Sequence, residues 1–458
     1  MIENDAFKLL LINLFHLNPD DIANILCTTF NKMMVLLVTL TDKHQACPYC
    51  GFTAPKIKEY VTKEITHSAL TTQKCIIKYR ARRYKCSCCG KTYYEFNPFV
   101  FKSQKISILT VHNILKDLKD FNETFTSVAR RYHVSPTSVS TIFDNHVDIG
   151  RNPLPEIINF DEVYAFKSEK SKYVCVILDF KKQIPVDILP NRKKEYLLNY
   201  FQKIPLEERK KVKYACSDMY EVYRDVVHKV FPESKHLLDY FHLSQDFHRK
   251  MNEVRIKVMK GYKDNKASDE YYLLKKFNWL LFKNPEDEDK YGRLFDVERE
   301  RKYNSHFKSY MNYYDLRKKL LEINNDLTIC YSLKLELVDF YSKSTVDNAK
   351  ENLENLIRSC IDTNIDEMIA FSNNLINWKQ EIINSFTIVG TEYKVEADKG
   401  QVVVCNKKVN NAIIENRNKI IKCIKNNANG YTNWSRFRNR VMYVLDPNTT
   451  FSLEPREK

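Results

Sequence analysis

The feature that most constrains the fold is a pair of cysteine turns, Cys-Pro-Tyr-Cys-Gly at 47–51 and Cys-Ser-Cys-Cys-Gly at 86–90. Each Cys-x-x-Cys spacing lets two sulfurs reach one ion, and the glycine that follows lets the backbone fold back toward them. Four thiolates suit a tetrahedral Zn²⁺ ion, so the pattern predicts a structural zinc site. The predicted ligands are Cys47, Cys50, Cys86 and Cys89. The alternative is a set of unrelated thiols in a reduced protein.

The segment between the two turns is longer than the roughly 15–20 residues of a usual zinc ribbon. We therefore predict two additional strands there, at 57–65 and 74–84. The second strand alternates basic residues with tyrosines, which can lay cations along DNA phosphates. Its predicted DNA-binding residues are Lys78, Arg80, Arg82 and Arg83. A solvated strand edge is the alternative.

Residues 125–146 have the pattern of a helix-turn-helix. Val128 and Ala129 lie at helical spacing in the first helix, and Ser135 with Pro136 supplies an N-cap and a first-turn proline for the second. Polar residues on the exposed side of the second helix are expected to enter the major groove of DNA. These are Thr137, Ser138, Ser140 and Thr141. An ordinary helical hairpin is the alternative.

The overall charge favours a polyanionic partner. Lys and Arg total 73 against 58 Asp and Glu, a net charge of +15, which strengthens association with phosphate backbones. The apolar run at 33–40 is shorter than the roughly 18–20 residues of a membrane helix. The acidic first residues do not resemble a secretory signal. We therefore expect a cytoplasmic protein with no membrane partner.

The central part of the chain predicts a mixed sheet. Strands are expected at 156–165, 172–180 and 184–189, followed by helix–strand alternation with strands at 212–218 and 235–241. Three antiparallel strands followed by parallel ones is the ribonuclease H-like order. The sequence therefore predicts a ribonuclease H-like catalytic core.

Two aspartates end the first and fourth of these strands. Asp161 and Asp218 each follow an apolar run, and in a ribonuclease H-like sheet these two strands are neighbours. Carboxylates that lie so near each other require divalent cations to offset their repulsion, so two Mg²⁺ or Mn²⁺ ions are expected. Turn or N-cap aspartates are the alternative. Glu162 should point to the opposite face because side chains alternate along a strand.

The predicted fold is multidomain α/β, with a small zinc-binding β module, helical domains and an interrupted catalytic core. A short helix at 20–30 and a strand at 33–40 are expected before the cysteines. The predicted domains are an N-terminal segment at 1–45, a zinc ribbon-like domain at 46–100, a helix-turn-helix domain at 101–150, a first core part at 155–242, an all-helical insertion at 243–395 and a last core part at 396–458.

Three stretches of the chain resemble DDE transposases of the ISL3 insertion-sequence family. They are the cysteine turns with their arginine-rich approach, Phe-Asp-Glu at 160–162 and the tail at 414–440. In that family a Glu-Gly-x-Asn segment precedes a basic stretch and a Gly-Tyr-x-Asn segment. Here Glu-Asn-Arg-Asn at 415–418 and Gly-Tyr-Thr-Asn at 430–433 match, with Asn416 in place of the glycine. The resemblance spans nearly the whole chain.

The resemblance implies the third catalytic ligand and two further features. It makes Asp161, Asp218 and Glu415 the catalytic triad. Asp-Tyr-Phe-His at 239–242 resembles the family's Asp-x-Phe-His segment, which places His242 near the scissile phosphate; a structural histidine is the alternative. Basic neighbours of the glutamate are expected to flank the DNA backbone. These are Arg417, Lys419 and Lys422.

We therefore expect an insertion-sequence transposase. It would bind the terminal inverted repeats of double-stranded DNA with residues 1–150, and then cut and join DNA at the triad. A homo-oligomer is expected because two element ends must be held together. One alternative is a DNA-binding regulator without chemistry, although all three carboxylates are present. Another is a ribonuclease H-like nuclease that cuts without joining, which the two predicted DNA-reading modules disfavour.

Overall fold

The structure, a computed structural model, describes residues 2–43, 46–68, 72–101, 104–166, 171–395 and 402–456, with the backbone alone at 2–5, 392–395 and 402–405. It is a mixed α/β, multidomain architecture. Among the helices of these ranges, none combines the length and apolar composition that crossing a lipid bilayer requires.

The N-terminal region is one helix packed on a five-stranded sheet. Its elements are α1 (Ile2–Leu14), β1 (Ile22–Phe30), β2 (Met33–Leu40), β3 (Lys56–Thr66), β4 (Cys75–Lys85) and β5 (Thr92–Tyr94), with a short 3₁₀ helix at Pro19–Asp21. The strand order is β1-β2-β4-β3, and β5 pairs with β4. The predicted strands between the cysteine turns are confirmed as β3 and β4. The strands before the first turn belong to the same sheet.

The helix predicted at 20–30 is wrong, because β1 occupies these residues. Asn31 and Lys32 both have positive φ, at 48° and 59°, and form a two-residue hairpin turn that pairs Phe30 with Met33. Ile25 then packs in the core beneath α1. Pairing with β2 therefore outweighs the local helical tendency.

Three helices follow the sheet: α2 (Ile108–Asp117), α3 (Phe125–Arg131) and α4 (Pro136–His146). The predicted cap is confirmed, since the Ser138 backbone N–H donates to Ser135 Oγ at 3.0 Å and Pro136 begins the helix. Val128 and Val139 are fully buried between the helices. The predicted pair of helices at 125–146 is therefore present.

The central sheet has five strands in the order β10-β9-β6-β7-β8. The elements are β6 (Ile157–Val163), β7 (Val174–Asp179), β8 (Pro185–Leu189), α5 (Lys194–Gln202), α6 (Leu206–Arg209), β9 (Tyr214–Ser217), α7 (Glu221–Val230) and β10 (Lys235–Leu238). Strands β6, β7 and β8 are antiparallel, whereas β9 runs parallel to both β6 and β10. The prediction that the first and fourth strands, β6 and β9, are neighbours in the sheet is confirmed.

A mostly helical region follows β10. Its elements are α8 (Tyr240–Lys260), α9 (Asp269–Lys276), a 3₁₀ helix (Asn278–Phe282), β11 (Glu288–Asp289), β12 (Gly292–Arg293), β13 (Lys302–Asn304), β14 (Ser309–Met311), α10 (Tyr313–Glu322), α11 (Asn325–Lys343), α12 (Ala349–Asp362), α13 (Asp366–Asn377) and α14 (Lys379–Asn384). The prediction of an all-helical insertion at 243–395 is wrong, because this region contains two short hairpins. Positive φ at Gly292 and Lys308 forms their turns.

The chain ends with a hairpin and two helices: β15 (Ile388–Val395), β16 (Val402–Lys408), α15 (Ala412–Asn427) and α16 (Trp434–Leu445). Helix α15 packs on β6 and β7. Arg440 of α16 is 1% exposed, and its guanidinium donates to the carbonyls of Asp120 and Glu123 at 2.8 Å. These contacts attach the three-helix region to the central sheet.

Candidate active site and cysteine cluster

Asp218 and Asp239 directly follow the parallel strands β9 and β10, and Asp161 lies two residues before the end of their neighbour β6. Asn159 of β6 pairs with Cys216 of β9, so Asp161 and Asp218 each lie two residues beyond the same register position. Ser217 pairs with Leu238 of β10, which places Asp239 beside Asp218. The sheet therefore brings the two predicted aspartates and a third one to one edge.

Glu415 reaches this edge from the first turn of α15. The start of that helix is anchored by Asn411, whose Oδ1 accepts a hydrogen bond from Asn159 Nδ2 at 2.7 Å and whose Nδ2 donates to the Phe160 carbonyl at 3.3 Å. The Asn411 backbone N–H also donates to Asp239 Oδ1 at 3.2 Å. The helix start is thus fixed to both β6 and the end of β10.

One residue on the same helix contacts the first aspartate directly. Asn418 Nδ2 donates to Asp161 Oδ2 at 2.7 Å. Asn418 lies three positions after Glu415, and residues at that spacing share one face of a helix. The face of α15 that carries Glu415 therefore points toward β6.

The carboxylates at this edge perturb one another. Burial, followed by repulsion from Asp218, Glu162 and Glu415, raises the pKa of Asp161 to about 7. Burial likewise raises the pKa of Asp218, although nearby His242 opposes this rise. Buried carboxylates that repel one another favour either a proton or a bound cation. The donor set, oxygen-rich and partly buried, fits a hard divalent ion.

Asp239, His242 and Glu415 form a tighter group than the predicted triad. One ligand atom from each lies within 4.8 Å of the others, and Asp161 and Asp218 are outside this group. His242 Nε2 lies 3.9 Å from Asp239 Oδ2, and within the described ranges this buried nitrogen has no hydrogen-bond partner.

Sequence reasoning did not select Asp239 as a site residue. The signal was nevertheless present, because Asp239 follows β10 in the same way that Asp218 follows β9. It is 3% exposed, and burial raises its pKa. A buried carboxylate at a third parallel strand end belongs to the same candidate site.

The expected orientation of Glu162 is confirmed. Its carboxylate forms an ion pair with Arg192 and accepts a hydrogen bond from the Tyr223 hydroxyl at 3.3 Å. Tyr223 belongs to α7, whereas Asp161 contacts α15. The two adjacent carboxylates therefore face opposite sides of the sheet.

The cysteine turns come together in the N-terminal sheet. Sulfur atoms of Cys47 and Cys89 are 3.7 Å apart, and those of Cys50 and Cys86 are 3.5 Å apart. All four sulfurs lie within 4.8 Å of one another, so they can hold one metal ion. Cys75, in the sheet core, and Cys88, on the surface, are outside the cluster, as expected.

The two turns have matching backbone geometry. Gly51 and Gly90 have φ of +75° and +70°, and their N–H groups donate to the carbonyls of Cys47 and Cys86 at 2.8 and 3.0 Å. A backbone hydrogen bond from Cys89 lowers the pKa of Cys86 to about 7. Each glycine therefore folds its turn back as the spacing predicted.

The predicted DNA-binding residues of β4 differ in how many of their side-chain hydrogen-bond donors already contact other parts of the chain. Arg82 contacts Glu95 at 2.8 Å and the Leu40 carbonyl at 3.0 Å, so its guanidinium mainly joins parts of the sheet. Lys78 and Arg83 form surface ion pairs with acidic residues of β3. Arg80 is exposed, with its guanidinium 4.8 Å from the Tyr60 ring centroid.

On the second helix of the helix-turn-helix, Thr137 and Thr141 are exposed and Ser138 is half-buried. The predicted exposure of Ser140 is wrong, because it is 9% exposed and its hydroxyl donates to the Thr137 carbonyl at 3.0 Å. Ser140 follows the buried Val139 on the inner side of α4. The outward-facing candidates are therefore the two threonines.

The basic residues of α15 lie beside the carboxylates. Lys419 and Lys422 are exposed, and Arg417 Nε donates to the Gln183 carbonyl in the β7–β8 turn at 3.1 Å. This turn also carries Lys181 and Lys182. Arg417 therefore joins α15 to the β7–β8 turn, while Lys419 and Lys422 stay on the exposed side of the helix.

Comparison with known proteins gives two matches. A family model described as a transposase, of the DDE type of the ISL3 group, matches residues 158–402, more than half of the chain. The chain is also similar to the "Transposase for insertion sequence element IS1001" of Bordetella parapertussis, with 19% identity over 410 residues that cover 89% of this chain and 90% of the relative. The family match contains two of the three predicted carboxylates and Asp239.

Proposed function

Because the chain belongs to the ISL3 family of DDE transposases, we propose that it binds the terminal inverted repeats of an insertion sequence and catalyses DNA strand cleavage and strand transfer. The observation that carries the proposal is that Asp161 and Asp218 belong to the neighbouring strands β6 and β9, while Glu415 belongs to the helix packed against β6. Asn418, on the same face of that helix as Glu415, donates to Asp161 Oδ2 at 2.7 Å.

The carboxylates fit Mg²⁺ or Mn²⁺, since both ions prefer oxygen ligands. Asp161, Asp218 and Glu415 would hold two such ions. When bound, the ions supply charge stabilisation to the attacking and leaving oxygens of a phosphodiester displacement. The protein itself orients the carboxylates through Asn411 and Asn418, whose amides hold α15 against β6.

Asp239 and His242 have separate proposed roles. Asp239 accepts the Asn411 backbone N–H and so positions the start of the helix that carries Glu415. His242 Nε2 faces the same carboxylates and lacks a partner in the described part of the chain, so it can donate to a phosphate oxygen. Removal of the histidine would weaken DNA positioning more than metal binding.

The strand order supports a ribonuclease H-like core at 155–242 and 396–458, interrupted by the insertion at 243–395. The cysteine cluster is the proposed site of a structural Zn²⁺ ion, because four thiolates suit that metal. The domains at 46–100 and 101–150 would read the element ends, and the segment at 1–45 completes the first sheet. A homo-oligomer would hold two ends together.

Three basic or polar surfaces would contact duplex DNA. The proposed contacts are Lys78, Arg80 and Arg83 on β4, Thr137, Ser138 and Thr141 on α4, and Arg417, Lys419 and Lys422 on α15. Arg82 and Ser140 are weaker candidates, because their polar groups are engaged within the chain. Phosphate contacts would make the affinity strongly dependent on salt.

A cleavage and joining assay tests the function. The chain is incubated with Mg²⁺ or Mn²⁺ and a labelled duplex that carries the DNA flanking its coding region, beside Asp218→Ala and the matched control Glu221→Gln. Metal-dependent cutting and joining that Asp218→Ala abolishes supports the proposal. Cutting without joining would indicate a nuclease, and binding without cutting would indicate a regulator.

A further inference from the structure

Two exposed tyrosines lie just beyond the end of β6 and the start of β7, at the same end of the central sheet as the carboxylates. Tyr164 and Tyr173 follow the last β6–β7 pair, Val163 with Val174, and are 50% and 39% exposed. Their ring centroids are 5.6 Å apart with an interplanar angle of 72°. Exposed rings of this size, next to a catalytic edge, are available to a ligand.

Cations flank both rings. Lys425 Nζ of α15 lies 4.8 Å from the Tyr164 centroid. The Arg192 guanidinium carbon lies 4.6 Å from the Tyr173 centroid and 4.8 Å from that of Tyr220. A cation over the face of a tyrosine ring strengthens the binding of a nucleotide there and can also neutralise the charge of its phosphate.

Arg192 is held at the active-site edge rather than free in solvent. Its guanidinium forms an ion pair with Glu162 and lies over the ring of Tyr220, two residues after Asp218. A single carboxylate engages only part of the five-donor guanidinium, and the side chain remains 27% exposed. The remaining donors can therefore reach a phosphate beside the carboxylates.

We infer that Tyr164 and Tyr173, with Arg192 and Lys425, form a binding subsite for one unpaired nucleotide of the DNA strand next to the scissile phosphate. The base would stack on the tyrosine rings, and its phosphate would face the two cations. A base inside a duplex is already stacked on both sides, so only an extruded or single-stranded base can use these rings. This inference rests on the proposed function, because it assigns the state of the DNA at the site.

The chain contains a matched pair of tyrosines away from the carboxylates. Tyr303 and Tyr310 pair across β13 and β14, with ring centroids 5.5 Å apart at 63° and exposures of 58% and 68%. A purely structural role in supporting a hairpin would apply equally to both pairs. Of these two pairs, Tyr164 and Tyr173 lie at the end of the sheet that carries the carboxylates.

The test compares binding to two DNA probes, without cleavage. The full chain is titrated, in buffer lacking added divalent metal and chelator, with a short blunt duplex and with the same duplex bearing a single-stranded overhang that has 2-aminopurine at the junction. We expect about tenfold tighter binding of the overhang probe, the effect of stacking one base. A change in 2-aminopurine fluorescence would accompany binding.

Variants test whether the preference for the overhang probe arises at the proposed subsite. The double variant Tyr164→Ala with Tyr173→Ala should bind both probes equally, whereas Tyr164→Phe and the control Tyr303→Ala with Tyr310→Ala should keep the preference. Retention of the preference in the first double variant, or its absence in the unmodified chain, would overturn the inference. Asp161→Asn should keep the preference, so failure of cleavage and failure of the subsite give different results.

Discussion

The cysteine cluster and the carboxylate edge are two groups of potential metal ligands that are assembled in different ways. The cysteines come from two turns of matching geometry, each closed by a glycine at positive φ. The carboxylates come from separate strands and helices that are spread along the chain from Asp161 to Glu415. A metal ion at the cysteine cluster should therefore stabilise the local fold. The carboxylates near the ends of β6, β9 and β10 should serve catalysis, and their burial and mutual repulsion should lower the stability of the metal-free chain.

The largest expected effect concerns the cysteine cluster. Cys86→Ser should abolish zinc binding and disorder the turns at 47–51 and 86–90, because zinc binding to such sites contributes roughly 10–16 kcal/mol to folding. Zinc content and hydrogen exchange of these peptides measure both effects. Cys88→Ser, which changes an exposed thiol outside the cluster, is the control. Full zinc content in Cys86→Ser would contradict the assignment.

At the carboxylate edge, Asp161→Asn should reduce metal-dependent DNA cleavage by about a thousandfold, because lost ion binding costs several kcal/mol of transition-state stabilisation. Zinc content should remain unchanged. Glu156→Gln, at the exposed start of the same strand, should cut normally. Undiminished cleavage by Asp161→Asn would show that Asp161 does not belong to the catalytic site.

The same substitution should stabilise the metal-free chain at high pH. The folded-state pKa of Asp161 is raised to about 7, above about 3.9 in an unfolded chain. The folded chain therefore retains a proton that the unfolded chain releases, and stability falls as pH rises from about 4 to 7. Asp161→Asn should exceed the unmodified chain in stability by roughly 2–4 kcal/mol at pH 8 and match it near pH 4.

Urea denaturation across this pH range, without added Mg²⁺ or Mn²⁺, measures the difference. Glu156→Gln should follow the unmodified chain. Added Mg²⁺ should stabilise the unmodified chain at pH 8 and have little effect on Asp161→Asn. A constant stability difference across pH would show that Asp161 titrates normally in the folded state.

Loss of a long-range anchor should have a smaller effect on stability. Asn411→Ala removes the amide that joins α15 to Asn159 and Phe160, and unpaired buried polar groups cost about 1–3 kcal/mol. Cleavage should also fall, since Glu415 follows this anchor. Asn416→Ala, an exposed change on the same helix, is the control. Thermal unfolding and cleavage rates measure the effects, and equal behaviour of both variants would exclude an anchoring role.

The smallest expected effect is at one cysteine turn. Gly90→Ala should destabilise the chain by about 1 kcal/mol, because alanine is disfavoured at a φ of +70°. Gly150→Ala, where φ is ordinary and an added Cβ meets no atom within 4 Å, should change little. Denaturation midpoints compare the two. Equal midpoints would show that the turn relaxes without its glycine.

Sequence predicted the features that depend on local spacing. The strands β3 and β4, the cap at Ser135 and the strands that end near Asp161 and Asp218 are all confirmed by the structure. The helix at 20–30 was wrong because β1 is stabilised by pairing with β2. Exposure of Ser140 was wrong because tertiary packing decides which side of α4 is covered.

By itself, the sequence determined the two cysteine turns, the pair of helices at 125–146 and the strands that lead to Asp161 and Asp218, because each depends on neighbouring residues and their spacing. The family resemblance nominated Glu415, but no local pattern could place it. Only the tertiary structure decided that Asn411 and Asn418 hold the helix of Glu415 against β6, and that Asp239 and His242 lie close to Glu415. The physical reason is that these contacts join residues far apart in the chain, so they form only when the sheet and α15 pack together.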